Sequence, residues 1–212
     1  YDFVQLPSDE HADPKPDDPL AILIADAAGH GPAAAVVTAM LNAILYAYPT
    51  SQHRNNGPAD VLEYANCHLY SKRLEGTFVT AFLAAYDPKT RKLYYARAGH
   101  NPPLLKNPGA GGEVRRLDDV GGIPLGVAED VKFDMGMIEL KRGQTLVLYT
   151  DGITEAMNPD RVMFGVEGIE RALEECSGEP ACVINSITTN LRLHEAGARP
   201  KDDQTIVAIK VE

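Results

Sequence analysis

Residues 20–31, Leu-Ala-Ile-Leu-Ile-Ala-Asp-Ala-Ala-Gly-His-Gly, constrain this chain more than any other stretch. Leu20 to Ala25 is an unbroken apolar run, the signature of a strand buried on both faces. Asp26 ends the run, the small residues with Gly29 and Gly31 make a tight turn, and Pro32 opens a helix where its missing N–H costs nothing. A carboxylate is therefore expected at the tip of a buried strand. Taken alone, Asp26 would serve equally well as a cap for the following helix.

Recurrence favours chemistry over capping. Leu146-Val147-Leu148-Tyr149-Thr150-Asp151-Gly152 is a second apolar strand ending in Asp and Gly. Asp202-Asp203-Gln204-Thr205 places two carboxylates just before the apolar Ile206-Val207-Ala208-Ile209. In an antiparallel sheet the end of one strand and the start of its neighbour share an edge, so these carboxylates are expected on one rim. Unpaired they would repel one another, and a hard divalent cation, Mg²⁺ or Mn²⁺, resolves the repulsion through oxygen ligands.

At 212 residues the chain is long enough for one large domain with a real core. The 30 acids against 20 bases give a net charge of −10, with no basic block, which argues against nucleic acid and anionic membrane as partners. No apolar run approaches the roughly 20 residues of a membrane span. The three cysteines, Cys67, Cys176 and Cys182, show no CxxC spacing and read as small buried hydrophobes of a cytoplasmic protein.

In chain order, Tyr1–Leu6 reads as a strand, and residues 7–19, with Asp9, Glu10, Asp13, Asp17 and Asp18, as a solvated connection. Helical spacing predicts helices over 32–48, ended by Pro49, and from Pro58 to about Arg73, with a polar loop between. His53 and His68 have no partner at metal-ligand spacing. Thr77–Tyr86 and Leu93–Ala98 form a hairpin around Asp87-Pro88-Lys89-Thr90. Gly99-His100-Asn101-Pro102-Pro103 and Gly121-Gly122-Ile123-Pro124-Leu125-Gly126 are shaped turns, flanking short strands at Leu104–Lys106 and Glu113–Leu117. A second hairpin is expected from Val131–Leu140 and Gln144–Thr150. Two helices then follow, carrying Val166, Ile169, Leu173 and Cys176, and Val183, Ile184, Ile187 and Leu191, before a last strand at Thr205–Val211. This order predicts an α+β layering of antiparallel sheet with helices outside.

A pair of carboxylate-bound divalent ions can lower the pKa of a bridging water and place it for in-line attack on phosphorus, without a Ser or Cys nucleophile. No GxSxG and no phosphate-cradling Cys is present. An aspartyl-phosphate mechanism would want a second Asp two residues after the first, where Ala28 stands.

Four motifs carry a resemblance. Ala25-Asp26-Ala27-Ala28-Gly29-His30-Gly31, Ala98-Gly99-His100-Asn101-Pro102-Pro103, Tyr149-Thr150-Asp151-Gly152-Ile153-Thr154-Glu155-Ala156 and Asp202-Asp203-Gln204-Thr205 resemble, in order and spacing, the metal-dependent protein phosphatase (PPM) family. The match is to its SpoIIE/RsbU-like bacterial branch. The resemblance covers Tyr1 to Val211 and implies a single domain: an antiparallel β-sandwich flanked by pairs of helices, in four αββα layers, with two Mn²⁺ or Mg²⁺ ions at one end. It implies that Asp26 bridges both ions, that the Ala27 carbonyl binds one, and that Asp151 and Asp202 complete the other shell, with Asp203 the second choice of its pair.

The implied reaction is hydrolysis of phosphoserine or phosphothreonine on a regulatory protein, usually a STAS-type anti-sigma-factor antagonist, under an upstream sensor domain. The helices over 32–48 and 58–73 resemble the segment through which such sensors switch metal binding. The family opens with Gly-Gly-Asp-x-x-Asp. Tyr1-Asp2 matches its end, so its first Asp would precede residue 1, and weak binding of the second metal is expected. His30 and His100 are candidate proton donors whose plainer reading is a hydrogen-bonded turn residue. Glu155 would orient a metal-bound water or simply sit as an exposed first-turn acid. The rival readings are a non-catalytic pseudophosphatase that binds a partner, and a small-molecule phosphohydrolase. The residues do not choose between a monomer and a homodimer.

Overall fold

The computed structural model describes residues 1–6, 15, 17–29, 31–46, 57–72 and 77–212. His30, His53, Asp9, Glu10 and Asp13, with most of the 7–19 connection and most of the loop before Pro58, lie outside the described residues, as does Arg73. The chain divides into two compact units: residues 1–100 with 119–139, and residues 101–118 with 140–212.

The first unit is built on an antiparallel sheet of five strands in the order β1 (Asp2–Gln5), β2 (Leu20–Ala27), β3 (Val79–Asp87), β4 (Lys92–Ala98) and β7 (Gly136–Glu139). β2 runs two residues further than the apolar run, because Asp26 and Ala27 still pair with Thr80 and Val79. Two helices, α1 (Pro32–Tyr46) and α2 (Pro58–Ser71), belong to this unit. Val37, Leu41, Leu62, Ala65 and Leu69 from the helices pack with Val79, Ala81, Leu83, Ala96 and Ala98 from the sheet. Both helices begin at Pro, where the fixed φ suits a first turn.

The second unit holds a four-stranded antiparallel sheet in the order β6 (Val114–Arg116), β5 (Leu104–Lys106), β8 (Thr145–Tyr149) and β9 (Ile206–Lys210). A single helical turn, α3 (Asp151–Thr154), leads to α4 (Gly165–Glu174) and α5 (Pro180–Glu195). Ile169, Leu173, Val183, Ile187 and Leu191 of the two long helices bury against Leu104, Val147 and Tyr149. The α+β class and the antiparallel pairing agree with the sequence.

Four expectations need correction. The second hairpin does not form: β7 pairs with β4, whereas β8 pairs with β5 and β9 in the other sheet. The turn itself is real, since the Gln144 amide donates to the Lys141 carbonyl, but it joins strands of different sheets. The strand before it is also shorter than predicted. Val131 and Phe133 alternate inward because they pack on the α2 core, and Glu63 holds that segment by accepting from the Phe133 amide and Lys132. In α5 it is Val183 that is buried, while Ile184 is 41% exposed. Among the acids of the 7–19 connection, Asp18 is not on the surface: it is 5% exposed and accepts the Lys15 amide within a turn.

Asn66 faces inward on α2 among the apolar residues, 1% exposed. Its Nδ2 donates to the carbonyls of Ala128 and Glu129, and its Oδ1 accepts the Gly126 amide. One side chain thus anchors the end of the 121–126 turn. Asn66→Ala removes three part-buried hydrogen bonds to backbone groups, each worth about 1 kcal/mol. Urea unfolding is expected to show a loss of about 2–4 kcal/mol, against less than about 0.5 kcal/mol for Cys67→Ala at the exposed neighbour. Equal, small losses for both variants would contradict this role.

Candidate metal centre

Asp26 stands at the penultimate position of β2, directly opposite Thr80 on β3. Ala27 closes the strand opposite Val79, and the Ala28 amide donates to the Phe78 carbonyl before the chain turns. Gly29 and Gly31 both adopt positive φ, 87° and 84°, a conformation in which side chains with a Cβ are strained. Asp2 on β1 faces Leu23, three residues before Asp26 along β2. The same sheet edge receives His100, 3% exposed, whose Nδ1 lies 2.9 Å from Thr80 Oγ1. Arg97 holds this turn through Nη1 to the His100 carbonyl and Nε to the Val120 carbonyl. The His100 ring is thus hydrogen-bonded within its turn.

In the second unit, β8 ends at Tyr149 opposite Ile206, the first residue of β9. That register brings Asp151 beside Asp202 and Asp203. Thr150 joins the two ends: its amide donates to the Thr205 carbonyl, its hydroxyl donates to the Asp203 carbonyl, and the Thr205 amide donates back to the hydroxyl. Gly152 is required here, because a Cβ would collide with the Asp203 carbonyl. Asp202 and Asp203 are both exposed, with Asp202 Oδ1 accepting the Asp203 amide. Glu155 is an exposed residue at the C-terminal end of α3, its amide donating to the Asp151 carbonyl.

Asp151 Oδ1 is buried and has no hydrogen-bond partner among the described residues. A buried anionic oxygen left without a donor is costly unless a cation takes the place of the donor. The Asp203 carbonyl comes up against the neighbouring Gly152, and oxygen donors of this kind are what Mg²⁺ and Mn²⁺ prefer. The Asp151 oxygen, left in that condition, is one a hard cation would satisfy. Asp26 and the Ala27 carbonyl belong to the first unit and to a different sheet, so the three carboxylates do not line the edge of one sheet. Among the described residues, no group of three or more Asp, Glu, His or Cys side chains is drawn close enough to hold a metal.

Thr150, Thr80 and Arg97 were not singled out as site residues from the sequence. Thr150 carried a signal, a hydroxyl immediately before the strand-end Asp; Thr80 became visible only through the register of β2 on β3.

The fold is that of PP2C phosphatases. The SiaA-PP2C domain of Pseudomonas aeruginosa superposes with a TM-score of 0.79 at 21% identity, covering 99% of this chain and 80% of that one. The catalytic domain of the serine/threonine protein phosphatase PstP, solved with two manganese ions, gives a TM-score of 0.61 at 18% identity over 92% of this chain and 88% of its own. Residues 16–212 match the model of the stage II sporulation protein E (SpoIIE) family, and the chain belongs to that family. The phosphoserine phosphatase RsbU of Bacillus subtilis (strain 168) is 25% identical over 210 residues, 97% of this chain and 60% of its own. Protein IcfG of Synechocystis sp. is 25% identical over 217 residues, 91% of this chain and 34% of its own. The chain therefore spans only 34% to 60% of the length of these two relatives.

Gly152→Ala tests the close seat of Asp203. The added methyl meets backbone rather than a movable side chain, so unfolding stability is expected to fall by about 1–3 kcal/mol. Urea unfolding of the variant unchanged from the parent would contradict this packing.

Proposed function

We propose that this chain is a metal-dependent protein serine/threonine phosphatase, acting on phosphoserine or phosphothreonine of a regulatory protein. The observation that carries the reading is the buried, unpartnered Asp151 Oδ1 at the end of β8, held beside Asp202 and Asp203 by Thr150. Membership of the SpoIIE family and likeness to the phosphoserine phosphatase RsbU support the reaction class. The manganese in PstP supports the choice of cofactor, two Mn²⁺ or Mg²⁺ ions.

Asp26, the Ala27 carbonyl, Asp151 and Asp202 would hold those ions, with Asp203 as the alternative to Asp202. When bound, such ions acidify a water and neutralise charge developing on the phosphoryl oxygens. The chain's own contribution is placement. Thr150 fixes the start of β9 against the end of β8, so that Asp151 and Asp202 keep their relative position without a rearrangement during turnover. Thr80 fixes the His100 ring by its Nδ1. The substrate in this reading is a folded phosphoprotein of the STAS anti-sigma-factor-antagonist kind, and an upstream sensor domain sets the activity.

Asp151→Asn keeps the size of the side chain and removes its charge. With Mn²⁺ and a phosphoprotein substrate, kcat is expected to fall on the order of 100-fold or more, and the Mn²⁺-dependent rise in Tm to disappear. Parent-like turnover by the variant would overturn the assignment. Partner binding by the parent without any turnover would instead indicate a pseudophosphatase. Equal rates on a phosphopeptide and a folded phosphoprotein would indicate a small-molecule phosphohydrolase.

A further inference from the structure

The turn between α4 and α5 brings two cysteines into contact. Cys176, 1% exposed, follows α4 and packs in the core of the second unit, while Cys182 is the third residue of α5 and half-buried. The Cys176 thiol donates to the Cys182 sulfur at a separation of 2.8 Å. Two backbone donors turn inward on the pair: the Ser177 amide reaches Cys182 Sγ at 3.3 Å and the Gly178 amide reaches Cys176 Sγ at 3.4 Å. The Ser186 hydroxyl stands 4.0 Å from Cys182. The turn is held in place by the Gly109 amide on the Ser177 carbonyl and the Thr145 hydroxyl on the Gly178 carbonyl.

These contacts divide the labour of a thiol oxidation. Cys182 sits in the first turn of α5, where the helix end and the inward amides favour a thiolate, and solvent reaches it. Cys176 lies behind it, shielded, with its proton already directed at the neighbouring sulfur.

We propose that Cys176 and Cys182 form an oxidisable dithiol, with Cys182 attacked by a peroxide and Cys176 closing an intramolecular disulfide. In the first step the Cys182 thiolate attacks one oxygen of hydrogen peroxide. The O–O bond breaks, hydroxide leaves, and Cys182 becomes a sulfenic acid. In the second, the Cys176 sulfur attacks the Cys182 sulfur, the S–O bond breaks, and the departing hydroxide takes the Cys176 proton as water. The proton Cys182 lost beforehand neutralises the first hydroxide. Two thiols are oxidised and one peroxide is reduced to two waters. The bond pins the α4–α5 turn, and a thiol reductant reverses it. This site is independent of the phosphatase reading.

The contacts also move the titrations apart. The hydrogen bond from Cys176, followed by those from Ser177, lowers the Cys182 thiol to about 7, while burial raises that of Cys176. Alkylation of Cys182 by iodoacetamide is then expected to rise about tenfold between pH 6 and 8 and level off, where an ordinary thiol rises about a hundredfold with no plateau.

The test is peptide mapping of the intact 212-residue chain after limited hydrogen peroxide and alkylation. The tryptic segment from Ala172 to Arg192 carries both cysteines and is expected to lose two hydrogens and resist alkylation, while Cys67 alkylates fully. Dithiothreitol should restore both thiols. In Cys176→Ser, Cys182 should accumulate as a sulfenic acid that dimedone captures. Oxidation of Cys182 to sulfinic acid with Cys176 still alkylated, or oxidation of Cys67 ahead of the pair, would overturn the proposal. The mapping of the unsubstituted chain decides it even if the variant does not fold.

Discussion

The antiparallel pairing of β8 with β9 is the constraint on which the candidate site depends. Two segments about fifty residues apart in the chain, Thr150–Gly152 and Asp202–Thr205, are joined by three hydrogen bonds through Thr150 and a longer one from Gln204 Nε2 to the Gly152 carbonyl. Pairing alone would bring the strand ends together. The threonine hydroxyl, donating to one backbone group and accepting from another, fixes how they meet. Gly152 then allows the Asp203 carbonyl to approach more closely than any side chain would permit. A carboxylate placed in so tight a junction loses water without gaining a donor, and this is the condition of Asp151 Oδ1.

Each unit follows the same economy. Helices cover one antiparallel sheet through an apolar core, and the strand ends are left for shaped turns. Polar side chains are spent where the backbone leaves regular structure. Asn66 takes three backbone groups around residues 126–129, and buried Lys106 donates to the carbonyls of Gly109 and Gly112. Burial lowers the pKa of that lysine, and its two carbonyl contacts stand in for the water it has lost. Arg97 does the same for the turn around His100. These turns are held by the body of the fold.

Much of this was legible in the sequence because periodicity and punctuation agree. Pro32, Pro58 and Pro180 each open a helix, and β3 and β4 were evident from the turn at Asp87-Pro88-Lys89-Thr90. The failures have physical causes. Inward alternation at Val131 and Phe133 reports burial, and burial against α2 leaves the same pattern as a strand without the ladder. The Lys141–Gln144 turn has the residues of a hairpin, yet which partner a strand takes after a turn is a long-range choice that local residues do not encode. The acids at 26, 151 and 202 could be picked out as strand-end carboxylates, and the junction of 151 with 202–203 follows from adjacent strands. That Asp26 belongs to a different sheet could not be read from strand ends alone. The cysteines, read as small hydrophobes, meet only because the α4–α5 turn folds back on itself.

The central proposal is that Asp151, with Asp202 or Asp203 beside it at the paired strand ends, ligates a divalent cation. A crystal of the chain grown with Mn²⁺, with diffraction recorded on both sides of the manganese absorption edge, tests it most directly. The expected result is an anomalous peak against the carboxylate of Asp151, with Asp202 or Asp203 beside it. Peaks confined to other acids, with none at Asp151, would contradict it.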